Sequence, residues 1–188
     1  MIYKNMEKKY KNIIIKANTE KEIGNIIKAL KLVERESKPY GKKLQTLRII
    51  LVLQNNKDYD NELLAEYSIW ICNKKTILES STKYLASLLV HEARHLMQYD
   101  TKKFAGYGKK PDKRSKELDE QIETDAYKTQ RNFLKKLKAE REVEWLDKQF
   151  NEKWWVNKTK KGITYSFPLD KTFYNFLNDY KNSKIEYY

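Results

Sequence analysis

Residues 80–99 of the chain read SSTKYLASLLVHEARHLMQY, and the pattern of this segment is the most informative in the sequence. Its leucines recur at helical spacing and predict an amphipathic helix that continues to about Tyr99. Ser80 or Ser81 can cap the first turn, because a serine hydroxyl there accepts a hydrogen bond from a backbone N–H. The pentapeptide HEARH, residues 91–95, therefore lies inside a helix.

Both histidines of the chain, His91 and His95, belong to this pentapeptide. Residues four apart lie on one face of a helix, so the two imidazoles can bind one small cation. Glu92 stands beside the first histidine, where its carboxylate can reach a water bound to that cation. Zinc lowers the pKa of such a water to about 7, and a carboxylate can then take its proton. The spacing predicts a zinc site with His91 and His95 as ligands and Glu92 as the catalytic base.

A catalytic zinc site needs a third protein ligand and an open position for water. The chain has no further histidine, and its lone cysteine, Cys72, is distant in sequence, so the third ligand is expected to be Asp or Glu. Residues 117–127, ELDEQIETDAY, supply several carboxylates on a predicted helix. The alternative is a purely structural zinc, which needs a fourth protein ligand that one of the acids from 117 to 125 could supply.

The pentapeptide HEARH followed by Glu123-x-x-Ala126 resembles the gluzincins, thermolysin-like zinc peptidases whose third ligand is a Glu on a following helix. The resemblance covers roughly residues 67–137. It implies zinc-dependent hydrolysis of peptide bonds in a peptide or protein substrate. Glu123 is the implied third ligand, and Glu120 is the next choice.

The resemblance also bears on the surroundings of the zinc. The family often has an acid four residues after the ligand Glu that orients a metal-bound histidine, but Tyr127 occupies that position here. Asp119 and Asp125 are the alternatives for the orienting role. Residues 67–73 are the implied strand at the border of the cleft, on which an extended peptide pairs by β-addition.

Hydrolysis also needs a group that stabilises the oxyanion as it develops. Because both histidines are used as ligands, Tyr and Arg side chains are the candidates. Tyr127 is one helical turn from Glu123, and we predict that its hydroxyl takes this role. Tyr107, Tyr165 and Arg94 are the other candidates.

The segment upstream of the HEARH helix predicts a mixture of helix and strand. Residues 19–22, TEKE, have the spacing of a capping box and predict a helix over 19–37. Residues 38–41, KPYG, break the chain before a buried strand over 47–53. Residues 67–72 predict a second strand, antiparallel to the first.

The segment downstream continues the same class of structure. Residues 100–114 predict a loop, and residues 115–150 predict a long helical stretch of one or two helices. A strand over 163–167 and a helix over 170–180 follow. Together these elements predict one α+β domain. With the resemblance, we expect it to be zincin-like: a small antiparallel or mixed sheet, an active-site HExxH helix and a following helix that bears the third ligand.

The predicted domain spans 1–188. The metal-site core is expected at about 67–137, and a C-terminal aromatic extension at about 151–188. No apolar run approaches the roughly 20 residues that cross a membrane. No secretory signal is evident either, so a cytoplasmic protein without a membrane partner is the expectation.

The charge of the chain suggests a second kind of function. The formal net charge is +13, and basic residues neutralise the phosphates of nucleic acids. The chain could therefore be a nucleic-acid-associated binding protein that uses a zincin-like scaffold without turnover. Only six of the 39 basic residues are Arg, which is the better residue for bidentate contacts with phosphates and bases. We therefore favour the zinc peptidase and keep nucleic-acid binding as the alternative.

Overall fold

The computed structural model of the protein describes residues 6–53, 61–101 and 116–152. All of these residues belong to one unit, Met1–Glu152. The predicted strand over 163–167 and helix over 170–180 lie outside the described residues, as does most of the predicted loop over 100–114. The single domain over 1–188 stays a prediction for the same reason.

The described part of the chain is α+β, as predicted. In chain order its elements are β1 (Met6–Tyr10), β2 (Ile13–Ala17), α1 (Glu20–Glu36), α2 (Lys38–Leu44), β3 (Ile49–Leu53), β4 (Glu62–Leu64), β5 (Ile69–Asn73), α3 (Lys74–Glu79), α4 (Thr82–Thr101), α5 (Lys116–Lys136) and α6 (Glu140–Glu152). A short 3-10 turn, Ala65–Tyr67, joins β4 to β5. No helix among the described residues has the length and apolarity needed to cross a membrane.

The strands form a mixed five-stranded sheet in the order β1-β2-β3-β5-β4. The three central strands are parallel, and Ile50 of β3 lies opposite Ile15 of β2 and Trp70 of β5. The two edge strands, β1 and β4, are antiparallel to their neighbours. These central positions are fully buried, as expected for strands that carry β-branched and aromatic side chains.

The predicted antiparallel relation between the strands near 47–53 and 67–72 is wrong. β3 and β5 are parallel, because β4 lies between them in the sequence and the chain reverses direction on either side of it. The second reversal uses Ser68, whose φ of 55° is in the left-handed region. The expectation that an extended peptide pairs with residues 67–73 is also wrong. β5 already pairs with β3 on one side and with β4 on the other, so it has no free edge.

The capping box predicted at the start of α1 is present. The Glu22 backbone N–H donates to Thr19 Oγ1 over 3.2 Å, and the Thr19 backbone N–H donates to Glu22 Oε2 over 3.1 Å. Residues 38–41, predicted as a break, instead begin the short helix α2 with Pro39 in its first turn. Proline is tolerated there because the first-turn N–H groups have no partner within the helix.

Helix α4 is central to the described part of the fold, because it packs against α1, α2 and α5. Its apolar face, buried in the core, comprises Leu85, Ala86, Leu89, Val90, Ala93 and Leu96. The hydroxyl of Ser81 accepts a 3.1 Å hydrogen bond from the Tyr84 N–H, so Ser81 is the cap of the two predicted serines. The helical stretch after the loop is two helices: α5 ends at Lys136, and Lys138 has a φ of 50° before α6 begins.

Candidate metal centre

The two histidines of the HEARH segment lie on the face of α4 that meets α5. Their Nε2 atoms are 2.9 Å apart, and the ring planes are nearly perpendicular, at 78°. Both side chains are almost completely buried, with 8% of His91 and 5% of His95 exposed. The two ring nitrogens therefore meet at one point between the helices, as the spacing of four residues predicts.

Helix α5 brings a carboxylate to the same point. Glu123 Oε2 lies 3.4 Å from His91 Nε2, and Glu123 Oε1 lies 3.6 Å from His95 Nε2. The three residues form a group whose ligand atoms are all within 4.8 Å of one another, and Glu120 is not part of that group. Glu123 is partly exposed, so the group is open to solvent on the α5 side.

Electrostatics at this point favour positive charge. Burial lowers the pKa of His91, but the hydrogen bond and charge of Glu123 outweigh it, so the pKa of His91 is raised. A carboxylate beside two imidazoles therefore stabilises a cation between them, whether this is a proton or a metal ion.

Glu92 is buried next to this group, with 5% of its surface exposed. Burial is the main cause that raises the pKa of its carboxyl to about 7; the positive charge of His91 acts against it, and the Glu123 carboxylate adds to it. A metal ion held by the histidines would lower this pKa, because an opposite charge nearby favours the ionised form. The arrangement suits a carboxylate that exchanges protons near neutral pH.

Two glutamines contact the Nδ1 atoms of the imidazoles, on the side of each ring away from the metal position. The sequence analysis did not predict either of them. Gln130 Oε1 lies 3.1 Å from His91 Nδ1, and Gln98 Oε1 lies 2.8 Å from His95 Nδ1. Both glutamines are 1% exposed. The sequence places both on the helix face of a ligand candidate, since Gln98 is three residues after His95 and Gln130 is two turns after Glu123, but this spacing alone does not single them out.

Each glutamine amide is itself held by a second set of hydrogen bonds. Gln130 Nε2 donates to Ser87 Oγ over 3.1 Å, and Ser87 Oγ donates to the Tyr84 carbonyl over 2.7 Å. Gln98 Nε2 donates to the Ile122 carbonyl over 3.1 Å and to Asp125 Oδ2 over 2.8 Å.

Asp119 and Asp125 were the two acids considered for orienting a histidine. Asp125 lies near the site, but Gln98 stands between it and His95. It contacts Gln98 rather than an imidazole. It also accepts two hydrogen bonds from Arg94, of 2.7 and 3.1 Å. Arg94, one of the candidates for oxyanion stabilisation, is therefore held by this carboxylate.

Tyr127 lies beside the group as well. Its ring contacts the His91 ring edge to face, with 5.0 Å between the centroids, and the Phe150 ring at 5.6 Å. The ring therefore packs directly against a candidate ligand. Tyr107 and Tyr165, the other tyrosines considered, lie outside the described residues. Cys72 is fully buried and is not part of the candidate metal group.

Comparison with known protein families, with curated proteins and with solved structures finds no match. The geometry of the site and the resemblance of its motif are therefore the features that indicate a function.

Proposed function

We propose that the protein is a zinc-dependent metallopeptidase. His91, His95 and Glu123 would hold the zinc, and Glu92 would be the general base. The observation that carries this proposal is the convergence of His91 Nε2, His95 Nε2 and the Glu123 carboxylate on one point, next to a buried Glu92. Two imidazoles and one carboxylate are a donor set that suits zinc.

The same geometry favours a catalytic site over a structural one. A structural zinc takes four protein ligands, whereas a catalytic zinc keeps one position for water. Among the described residues no fourth His, Cys, Asp or Glu joins the group. The partial exposure of Glu123 leaves a route for water and substrate.

The chemistry of such a site divides between the metal and the chain. Zinc held there would lower the pKa of a bound water to about 7 and polarise the carbonyl of the scissile peptide. Glu92 accepts the proton of the attacking water and passes it to the nitrogen of the leaving amine as the C–N bond breaks. The second proton of the water also ends on the leaving nitrogen, so the products are a carboxylate and a protonated amine, and Glu92 returns to its ionised form.

The substrate would be a peptide or protein. We propose that the hydroxyl of Tyr127 donates to the oxyanion, since its ring packs against His91.

The sheet offers one place for a substrate strand near β5. β5 is paired on both sides, so an extended peptide would have to pair with the outer edge of β4. The zincin-like arrangement of a sheet, an HExxH helix and a following ligand helix belongs to the same proposal.

Elemental analysis of purified protein tests the metal first. We expect about one zinc per chain in the wild type and none in His95→Ala, with Glu79→Gln, an exposed acid outside the metal group, as the control. Hydrolysis of a library of quenched fluorescent peptides then tests catalysis. Glu92→Gln should keep the zinc and lose about 100-fold or more in rate. An absence of zinc in wild-type protein supplied with zinc contradicts the proposal.

A separate observation favours the second candidate function, nucleic-acid binding. A surface groove of about 670 Å³ runs along α1 and reaches the start of α4 and the end of α5. Its lining carries one acid, Glu36, and six cations: Lys28, Lys31, Arg35, Lys83, Lys136 and Lys138. This concentration of positive charge would attract a phosphate backbone.

The groove is tested by anisotropy of a labelled single-stranded oligonucleotide over a range of salt concentrations. Reversing Lys28, Lys31 and Arg35 to Glu should weaken binding and reduce the magnitude of the salt slope by roughly 2 to 3. Reversing Lys8, Lys9 and Lys21, three exposed lysines outside the groove, gives the same change in net charge. Equal losses in the two triple variants would show that bulk charge, and not the groove, is responsible.

A further inference from the structure

The hydrogen bonds around Gln130 determine the tautomer of His91. The Ser87 hydroxyl uses its proton on the Tyr84 carbonyl, so Ser87 Oγ can only accept from Gln130. The amide nitrogen of Gln130 must therefore face Ser87, and its oxygen must face His91. Because an amide oxygen only accepts, His91 Nδ1 must carry a hydrogen, and the neutral ring has a lone pair on Nε2.

The hydrogen bonds around Gln98 give the same result for His95 by a different route. The two partners of the Gln98 amide nitrogen are the Ile122 carbonyl and the Asp125 carboxylate, and both are acceptors. The amide cannot be turned around without placing its oxygen against these oxygens. His95 Nδ1 therefore donates to Gln98 Oε1, and its Nε2 also bears a lone pair.

The two lone pairs then face each other. His91 Nε2 and His95 Nε2 are 2.9 Å apart with no hydrogen to share between neutral rings, and the Glu123 carboxylate adds negative charge at the same point. This arrangement is unfavourable unless a cation occupies the centre. The protein maintains it with two glutamines that are 1% exposed and are hydrogen-bonded through both the oxygen and the nitrogen of the amide.

We infer that Gln98 and Gln130 are positioning residues that fix both histidines with hydrogen on Nδ1, so that two Nε2 lone pairs are directed at the metal position before the metal arrives. This inference rests on the proposed metal site. It assigns to two neutral amides the orienting role for which an acid was expected. Glu123 is then the only anion among the three ligand candidates, because both groups that orient the histidines are neutral.

Gln130→Met tests the inference, because methionine has a similar volume and no strong acceptor. We expect zinc affinity, measured by competition with a chelating dye, to fall about 10-fold to 100-fold. Gln130→Glu keeps an acceptor next to His91 and should restore the affinity. Gln98→Met should show a loss of the same size as Gln130→Met, and Gln121→Met, at an exposed position on α5 outside the site, should show none.

The second readout is the tautomer itself in metal-free protein, from long-range ¹H–¹⁵N NMR of the histidine rings. Wild type should show hydrogen on Nδ1 of both rings, and Gln130→Met should give a mixture at His91 while His95 is unchanged. Unaltered affinity and unaltered tautomers in both methionine variants would overturn the inference. If wild type shows these tautomers but binds no zinc, the positioning role stands and the proposed peptidase function fails.

Discussion

Arg94 and Asp125 form a two-point ion pair that joins α4 to α5 beside the candidate metal centre. The Arg94 Nε and Nη2 atoms donate to the two carboxylate oxygens over 2.7 and 3.1 Å, and about a quarter of each side chain is exposed. Arg94 precedes the ligand candidate His95, and Asp125 follows Glu123 by two residues. The same carboxylate also accepts from Gln98, which contacts His95.

We therefore expect Asp125→Asn to affect both the fold and the site. The loss of a bidentate pair should lower the free energy of unfolding by about 1 kcal/mol. Zinc affinity should fall by a few fold, because a single uncharged amide oxygen would remain to accept from both Gln98 and Arg94, which weakens the hold on Gln98. Urea denaturation and chelator competition measure the two effects. Asp147→Asn, which breaks a pair between α5 and α6, should change stability without changing affinity.

The choice between Glu123 and Glu120 as third ligand has a direct test. Glu123→Gln should reduce zinc affinity by more than about 100-fold, since loss of a ligand costs more than loss of an outer partner. Glu120→Gln is the matched control and should bind zinc as wild type does, because Glu120 is outside the group formed by the histidines and Glu123. A loss of zinc affinity in Glu120→Gln but not in Glu123→Gln would identify Glu120, one turn earlier on α5, as the third ligand.

The roles of the ring and of the hydroxyl of Tyr127 can be tested separately. Tyr127→Phe keeps the ring contacts with His91 and Phe150, so zinc affinity should stay at the wild-type value. Its rate of peptide hydrolysis should fall about 100-fold, as for the loss of one oxyanion donor. Tyr127→Leu removes the ring contacts as well and should weaken zinc binding. Full activity in Tyr127→Phe would limit the residue to packing.

The Arg131 and Asp147 ion pair gives a pH-dependent contribution to stability. Arg131 holds the pKa of the Asp147 carboxyl below its usual value, over distances of 2.6 and 2.7 Å. A lowered folded-state pKa stabilises the protein above the unfolded-state pKa, about 3.9 for Asp, and the contribution disappears as pH falls through the folded-state pKa. Both side chains are more than a third exposed, so the contribution is at most about 1 kcal/mol.

Denaturation of wild type and Asp147→Asn at several pH values measures this contribution. The difference between the two proteins should be present at pH 7 and vanish well below pH 3.9. Glu144→Gln, an exposed acid on the same helix, provides the control. A difference that is constant with pH would mean that the substitution acts through something other than the charge.

Local patterns in the sequence predicted the elements that place the site. The capping box at Thr19 and Glu22 predicted the start of α1 because both of its hydrogen bonds are made within four residues. The leucines and the HEARH spacing likewise predicted α4 and the meeting of its two imidazoles. These features depend on neighbours along one helix, which a single sequence records directly.

Features with a weak local signal, or with partners distant in sequence, were missed. The hairpin of β1 and β2 was not predicted, because β1 is an exposed edge strand with lysines at its centre and its turn at Lys11 uses a φ of 53° without glycine. The parallel pairing of β3 with β5 was predicted wrongly, since the three-residue strand β4 gives almost no signal. Gln130 was missed because a neutral amide becomes recognisable only when its contact with His91 is known.

The two helices that supply the ligand candidates have a thermodynamic consequence for the whole unit. His95 and Glu123 are separated by residues 96–122, so a metal ion held between them cross-links α4 to α5 only while the chain is folded. By mass action, free zinc at 100 times its dissociation constant would add about 2.7 kcal/mol to the free energy of unfolding. The melting temperature should therefore rise with the logarithm of the zinc concentration, which makes heat resistance a property of the surrounding metal supply as much as of the chain.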